Sequence, residues 1–348
     1  SFLTDPSTLY NAVVYRFRSL PFGIIYFIAI VVLSGSIETS FFITSLLLLV
    51  WNLGNCVLIY KIVTHKKFKV VKRRPFINNP YLVLSLYLLI PWHWAEYWMG
   101  QSNLITGFFV LLGIYFYFDK KRTISFFFWS FAVNFKIFPI IFLILIFFEK
   151  KLKKTFRHLI GIIIAMIPNI IMFLIWPILI SEFFFQNLDS SINYIPTFNP
   201  ISGSLTRNIA DLFSFPLLMV LLVTALVLIP FHIITVLKEN KKKISIIDKL
   251  MILFLLLIAV VPEFFNLHNL VLLSVYIIWI SMDSPNIDRR IKLILLIPII
   301  GLPLWLVFQY LSIFYFIPLV LIDYWILKKY KRKRTKLPTP PQGFEEII

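Results

Sequence analysis

The chain has 348 residues, of which 59% are hydrophobic and only 14% are charged, and its formal net charge is +18. Soluble domains are about 45–50% apolar and about 25% charged, so this composition excludes a soluble globular domain and predicts a multi-spanning membrane protein. The basic residues stand in short clusters between apolar runs, as the positive-inside rule describes for cytoplasmic loops, and this distribution argues against a nucleic-acid partner.

Apolar runs recur along the whole chain. A transmembrane helix needs roughly 20 residues, and several runs reach that length. The first run, 21–34, is shorter and is predicted to be re-entrant or interfacial. The pattern predicts an all-α polytopic membrane protein with about 9–11 transmembrane and re-entrant helices. The later runs lie at about 41–63, 81–92, 103–118, 124–148, 159–180, 216–236, 250–264, 269–281, 293–308 and 311–327.

Clusters of lysine and arginine set the sidedness of these runs. Because cytoplasmic loops are enriched in Lys and Arg, the clusters are placed in the cytoplasm and the intervening loops outside it. Residues 1–327 then form one transmembrane domain, and 328–348 form a basic, proline-containing cytoplasmic tail. The clusters lie at 66–74, 120–122, 150–157, 238–249, 289–292 and 328–336, and the predicted external loops at 1–20, 93–100, 181–215 and 263–268.

The run 124–148 lies between two basic clusters, so the chain must cross the membrane an even number of times within it. The run is too short for two full spans. It is therefore predicted to be a broken, V-shaped pair of half-helices with its bend near Asn134–Pro139. Irregular backbone at membrane depth is tolerated where it lines a cavity inside the protein.

Two ionisable residues stand close to apolar runs, where charge is costly and function is the default hypothesis. Lys136, in "SFAVNFKIFPIIF", is expected either to point into a cavity at the break or to snorkel to the interface. Glu96, in "HWAEYWMG", is an acid on the predicted external face. The Trp and Tyr residues around it form either an interfacial belt or the lining of a sugar or lipid groove.

Polar residues also mark two other stretches of the external face. "GQSN" at 100–103 places Gln101 and Asn103 at the mouth of an apolar helix, where the simplest role for such residues is helix capping. Arg207, in "NPISGSLTR", is the one basic residue of loop 181–215. It is either part of an ordinary solvated loop or a group that binds an anion such as phosphate.

Two more residues remain open to alternative interpretations. His268, in "PEFFNLHN", is a ligand, an acid–base group or a hydrogen-bonded structural residue. Asp5, in "LTDPSTLYNA", is either a helix N-cap or a catalytic acid. The single cysteine, Cys56, lies inside an apolar run and is expected to serve packing.

The order of these stretches resembles one family. "GQSN", followed by a helix and then "NFKIFP", resembles the GQxN…K-x-x-P pattern of GT-C glycosyltransferases, with glycosyltransferase family 87, the polyprenyl-phosphate-mannose-dependent mannosyltransferases, as the closest match. "NPISGSLTR", "PEFFNLHN" and "DPSTLYNA" resemble three further motifs of that family, although Pro200 stands where glutamine is common and Asn269 where a second histidine is found. The family has a transmembrane helix before its aspartate motif, so either the N-terminal helix is missing here or Asp5 is not the base.

The resemblance implies a GT-C-like bundle and an inverting hexosyltransferase. The enzyme would move a hexose, with mannose expected, from a polyprenyl-phosphate donor to a lipid-linked or glycan acceptor. A carboxylate would take the proton of the attacking hydroxyl, and cationic groups would stabilise the leaving phosphate. The implied roles are Asp5 as base, Lys136, Arg207 and His268 around the phosphate, and Glu96, Gln101, Asn103, Asn199 and Ser202 in the substrate groove.

The same resemblance implies partners and location. They are the polyprenyl-phosphate sugar, the acceptor and membrane lipids, with no nucleic acid and no cofactor, while metal dependence stays open. The expected location is the plasma membrane of a prokaryote, with the active site facing outside.

Two other classes of protein fit the same polar residues. A transporter or flippase for a lipid-linked or polar solute also uses broken helices and polar groups, but near the midplane. A structural membrane subunit without an active site predicts no cavity that joins Asp5, Lys136, Arg207 and His268.

Overall fold

The computed structural model is helical throughout the part of the chain that it describes, with no strand there. The all-α expectation is therefore confirmed. The described residues are 20–65, 79–89, 93, 96–97, 102–149, 151–183, 206, 209–210, 213–216, 219–227, 230 and 274–281. The helices are α1 (Pro21–Ser34), α2 (Ile37–Thr64), α3 (Pro80–Leu88), α4 (Asn103–Phe118), α5 (Arg122–Val133), a 3₁₀ helix (Phe138–Phe148), α6 (Leu152–Ile175) and α7 (Ser274–Ser281).

Two of these helices are long and apolar enough to cross a membrane: Glu38–Thr64 and Leu152–Ile175. Their outward faces carry many exposed aliphatic and aromatic side chains; Leu174 is 75% and Phe42 is 63% exposed. Lipid, unlike water, accepts such a continuous apolar face, so the chain is a membrane protein. The apolar runs predicted beyond residue 281 lie outside the described residues, and the count of 9–11 helices stays a prediction.

A tight turn joins α1 to α2. Gly35 ends α1 in the left-handed region at φ +71°, a conformation that glycine adopts without steric cost. Ser36 then caps α2 by accepting a hydrogen bond from the Thr39 amide at 3.1 Å. With 14 residues, α1 is about 21 Å long, which is shorter than the roughly 30 Å hydrocarbon core. This length agrees with the prediction that α1 does not span.

Replacing Ser36 with alanine is expected to lower the free energy of unfolding by about 1 kcal/mol, because the Thr39 amide loses its acceptor. Thermal unfolding of the detergent-solubilised protein measures the change. Ser36→Asp is the matched control, since aspartate retains an acceptor and its charge suits a helix N-terminus. Equal melting of both variants would contradict a capping role for Ser36.

Helices α4 and α5 pack closely against each other. Gly113 lets Trp129 approach so closely that a Cβ at position 113 would lie 2.4 Å from the indole Nε1. That indole is fully buried and donates a hydrogen bond to the Val110 carbonyl at 3.2 Å. Ser125 donates to the Gly113 carbonyl at 2.6 Å. These contacts fix the two helices as one hairpin that carries functional candidates at its far end.

The break predicted near Asn134–Pro139 is present. Helix α5 ends at Val133 and the 3₁₀ helix begins at Phe138. The two segments fold back on each other, since the rings of Trp129 and Phe142 are 5.7 Å apart. Pro139 lies at the start of the 3₁₀ helix, where its missing amide hydrogen prevents the chain from resuming the preceding α-helix.

Basic residues gather at the opposite end of the hairpin. Lys120 and Lys121 follow α4, and Lys151 precedes α6. The Glu149 side chain, only 6% exposed, pairs with Arg122 and lies 3.7 Å from His158 Nε2. The start of α4 and the end of α5 lie at the other end of the hairpin, and the cytoplasmic placement of the basic end stays a prediction from the positive-inside rule.

Candidate functional site

A buried carboxyl–amide pair lies where the connection after α3 meets the start of α4. Glu96 Oε1 accepts a hydrogen bond from Asn103 Nδ2 at 2.7 Å, and both side chains are fully buried. Glu96 Oε2 has no hydrogen-bond partner among the described residues. The sequence predicts an external position for both residues, and the structure brings them into contact.

The broken segment after α5 forms the second side of this site. Ser102 Oγ donates to the Phe135 carbonyl at 3.2 Å, which ties the start of α4 to residues 134–136. Lys136 follows immediately and is half-buried. Its ammonium group acts electrostatically on Glu96. The structure therefore brings together Glu96, Asn103 and Lys136, which we call the Glu96 cluster.

A network of polar groups joins α2 and α3 to Tyr97, the neighbour of Glu96 in the chain. Asn52 donates to the Tyr97 hydroxyl at 2.8 Å and accepts from the Tyr87 hydroxyl at 2.7 Å. The Tyr87 carbonyl faces His93 Nε2 at 2.9 Å, and since a carbonyl only accepts, Nε2 carries the proton. Burial lowers the pKa of His93, which keeps the imidazole neutral. Asn55 Nδ2 donates to the Leu104 carbonyl at 3.1 Å.

Burial dominates the electrostatics of Glu96. Removal from water raises the pKa of this carboxyl group from 4.5 to about 8, and the hydrogen bond from Asn103 and the charge of Lys136 oppose that rise. At neutral pH most Glu96 carboxyl groups therefore carry a proton. The group can donate a hydrogen bond when protonated and accept one in either state.

The other predicted site residues lie outside the described part of the chain. They are Asp5, Gln101, Asn199, Ser202, Arg207 and His268. The expectation that Asp5, Lys136, Arg207 and His268 share one groove thus stays a prediction. Across the described residues, no three His, Cys, Asp or Glu side chains form a possible metal site.

Sequence reasoning missed the polar residues of α2. Asn52 and Asn55 stand three positions apart within "VWNLGNCVL" and therefore share one helix face. Both are buried, at 6% and 1% exposure. Two amides on one face of an apolar helix are a usable signal, because a buried amide needs partners.

A family model described as "GPI transamidase subunit PIG-U" matches residues 2–206, more than half of the chain. No curated protein and no solved structure matches the chain. The matched range contains every described element of the site, from α1 through the Glu96 cluster to α6.

This match overturns the expected resemblance to glycosyltransferase family 87 and, with it, the expected hexosyltransferase activity. The polyprenyl-phosphate sugar donor and its acceptor are likewise wrong as partners, and the transporter or flippase alternative has no support. The prokaryotic plasma membrane and an outward-facing active site are also unsupported.

The structure gives a physical reason for the error. In "GQSN" and "NFKIFP", Asn103 holds Glu96 and Ser102 holds the Phe135 carbonyl. Any membrane protein that breaks helices must satisfy the freed polar groups internally. Short polar motifs at helix ends therefore recur without specifying sugar transfer.

Proposed function

Because the chain belongs to the family of GPI transamidase subunit PIG-U, we propose that it works as a membrane-embedded subunit of a GPI transamidase, the complex that attaches proteins to GPI anchors. The match over residues 2–206 carries this proposal. The partners are then the other protein subunits and the GPI-anchor substrate.

The position of the single cysteine agrees with the role of an accessory subunit. Transamidation is an acyl transfer, which in enzymes commonly proceeds through a Ser or Cys nucleophile activated by a neighbouring base. Cys56 is the single cysteine of the chain, and it lies half-buried in the middle of the membrane-crossing helix α2. A water-soluble polypeptide substrate does not reach that depth. We therefore assign the chain to substrate handling and membrane anchoring within the complex.

The location in this proposal is the ER membrane, which agrees with the family. The proposal keeps residues 1–327 as a transmembrane domain and 328–348 as a cytoplasmic tail. Its 9–11 helices rest on the apolar runs after residue 215 and on the basic clusters between them. The Glu96 cluster then lies at the luminal ends of α4 and α5, because the basic residues mark their other ends.

Affinity purification of the full chain from solubilised ER membranes tests the assignment. We expect a complex that joins a peptide carrying a GPI-attachment signal to a GPI acceptor, and we expect loss of GPI-anchored proteins from the surface of cells depleted of the chain. An unrelated multi-spanning ER protein with the same tag is the control. Purification of the chain alone, together with normal GPI anchoring after depletion, would overturn the proposal.

A further inference from the structure

The start of α6 carries a group of cationic side chains that no carboxylate neutralises in the described part of the chain. Helix α6 has no acidic residue in its first turn. The nearest acid in the sequence, Glu149, pairs with Arg122 and lies 3.7 Å from His158 Nε2. The cationic residues, which we call the α6 basic surface, are Lys151, Lys153, Lys154 and Arg157, and all four are exposed.

An exposed apolar stripe begins in the same turns of α6. Leu152 is 85% and Phe156 is 65% exposed, and the stripe continues through Ile160 and Ile163. Spacings of three and four residues place these side chains on one face of the helix. Because α6 is long and apolar enough to cross a membrane, this face suits contact with the acyl chains of lipids.

The basic surface and the apolar stripe are adjacent on the helix. Lys153 and Arg157 each follow a residue of the stripe, and they stand four positions apart. Their Cβ atoms are therefore about 5–6 Å apart along one edge of the stripe. The Arg guanidinium binds phosphate through two parallel hydrogen bonds, and the Lys ammonium binds it as a point charge. One phosphate group can thus contact both side chains while the chains attached to it follow the stripe.

The length of α6 puts the basic surface at the depth of lipid headgroups. The helix has 24 residues and is about 36 Å long, which exceeds the roughly 30 Å hydrocarbon core by about one turn. Long Lys and Arg side chains near a helix end extend towards the headgroups. The prediction that this end is cytoplasmic agrees, because anionic lipids are concentrated in the cytoplasmic leaflet.

We propose that the α6 basic surface and the apolar stripe beside it form a docking surface for an anionic phospholipid. The lipid phosphate pairs with Lys153 and Arg157, and the acyl chains lie along the stripe that starts at Leu152. A phosphomonoester headgroup is preferred, because its charge of about −1.5 to −2 complements two neighbouring cations. The proposal depends on the membrane location of the chain and not on its membership of a transamidase, so its failure would leave the proposed function intact.

The test measures binding of a fluorescent phosphatidylinositol monophosphate to the detergent-solubilised full chain. Wild type is expected to bind it saturably and to bind fluorescent phosphatidylcholine at least tenfold more weakly, about 1.4 kcal/mol. The double variant Lys153→Gln, Arg157→Gln is expected to raise Kd about 25-fold, since each cation near a lipid headgroup contributes about fivefold. Both residues are exposed, so the variant should melt like wild type in neutral detergent.

The matched control is the double variant Lys120→Gln, Lys121→Gln, which removes the same charge at the same end of the bundle. The two groups share that end, because Thr123 Oγ1 lies 3.1 Å from His158 Nδ1. Lys121 pairs with Asp119 at 3.0 Å, and α4 exposes no large apolar side chain. Screened charges at this distance are expected to change Kd about twofold or less. An equal loss of binding in both double variants, or in neither, would overturn the docking surface.

A competition experiment distinguishes a lipid from a free phosphate. Inorganic phosphate and the deacylated headgroup lack the chains that follow the stripe, so both are expected to displace the fluorescent lipid weakly. A lipid with a photoactivatable group on its acyl chain is expected to label wild-type peptides that contain residues 152–163. Displacement by the deacylated headgroup as strong as that by the intact lipid, or labelling confined to other peptides, would overturn the proposal.

Discussion

Replacing Gly23 with alanine is expected to lower the free energy of unfolding by about 3 kcal/mol or more and to detach α1 from the bundle. A Cβ at this position would lie 2.1 Å from the Asn134 carbonyl oxygen and 2.9 Å from the carbonyl carbon. Both are backbone atoms of the break after α5, so no side chain can rotate away. Overpacking against mobile side chains already costs about 1–3 kcal/mol, and a backbone neighbour places Gly23→Ala at the upper end of that range or beyond.

Thermal unfolding in detergent and hydrogen exchange of residues 21–34 measure the effect. Gly107→Ala is the matched control, because a Cβ at that position would meet only Asn55 Nδ2 at 3.7 Å, an ordinary contact. Alanine also has a higher helix propensity than glycine, by up to about 1 kcal/mol, so Gly107→Ala should be neutral or stabilising. If Gly23→Ala melts like Gly107→Ala, the close approach of α1 to the break is wrong.

The solubilised protein is expected to lose stability as pH rises from about 5 to about 8, through Glu96. Burial raises the pKa of this carboxyl group in the folded state to about 8, from 4.5 when exposed. Between these values the unfolded chain has released the proton while the folded chain still binds it, so each pH increase favours unfolding. Below pH 4.5 both states are protonated and the penalty is absent. At pH 8 it reaches roughly 5 kcal/mol.

Melting temperatures measured between pH 5 and 8 check this dependence. Glu96→Gln retains an oxygen that accepts from Asn103 and cannot titrate, so its melting temperature should vary less with pH and exceed that of wild type at pH 8. Lys136→Met should extend the loss to higher pH, because the cation that opposes the rise in pKa is gone. Exposed Glu38, changed to Gln, is the control. A wild-type slope in Glu96→Gln would rule out this carboxyl group as the cause.

The positions of the helices could be predicted from the sequence where a continuous apolar run or a proline determines where a helix lies. The apolar run 103–118 coincides with α4, and the break after α5 was predicted from basic clusters on both sides of a run too short for two spans. The exact pairing of polar groups was not predictable. Position along the chain predicted one common face for Glu96, Asn103 and Lys136, but only packing decides that the Glu96 carboxyl group contacts the Asn103 amide.

The function was harder to predict for the same reason. "GQSN" and "NFKIFP" resemble catalytic motifs because both kinds of protein place polar residues at broken helix ends. Such residues indicate a binding site or an internal hydrogen-bond network. They do not indicate which substrate a site would bind or which group it would transfer. Asn52 and Asn55 were missed although the sequence shows two amides on one face of an apolar helix. They were overlooked because the run 41–63 was considered only as a whole, by its overall hydropathy.

The anchoring of α1 has a consequence for biogenesis. The Phe22 amide donates to Asn169 Oδ1 at 3.0 Å, across 147 positions of sequence, and Asn169 also donates to Asn134 Oδ1. Ribosomes add about 5–20 residues per second, so roughly 7–30 s pass between synthesis of the two partners. During that interval the short α1 has no tertiary partner on α6. The contacts of α1 with α6 must therefore form after α6 leaves the translocon, later than its contacts with α2.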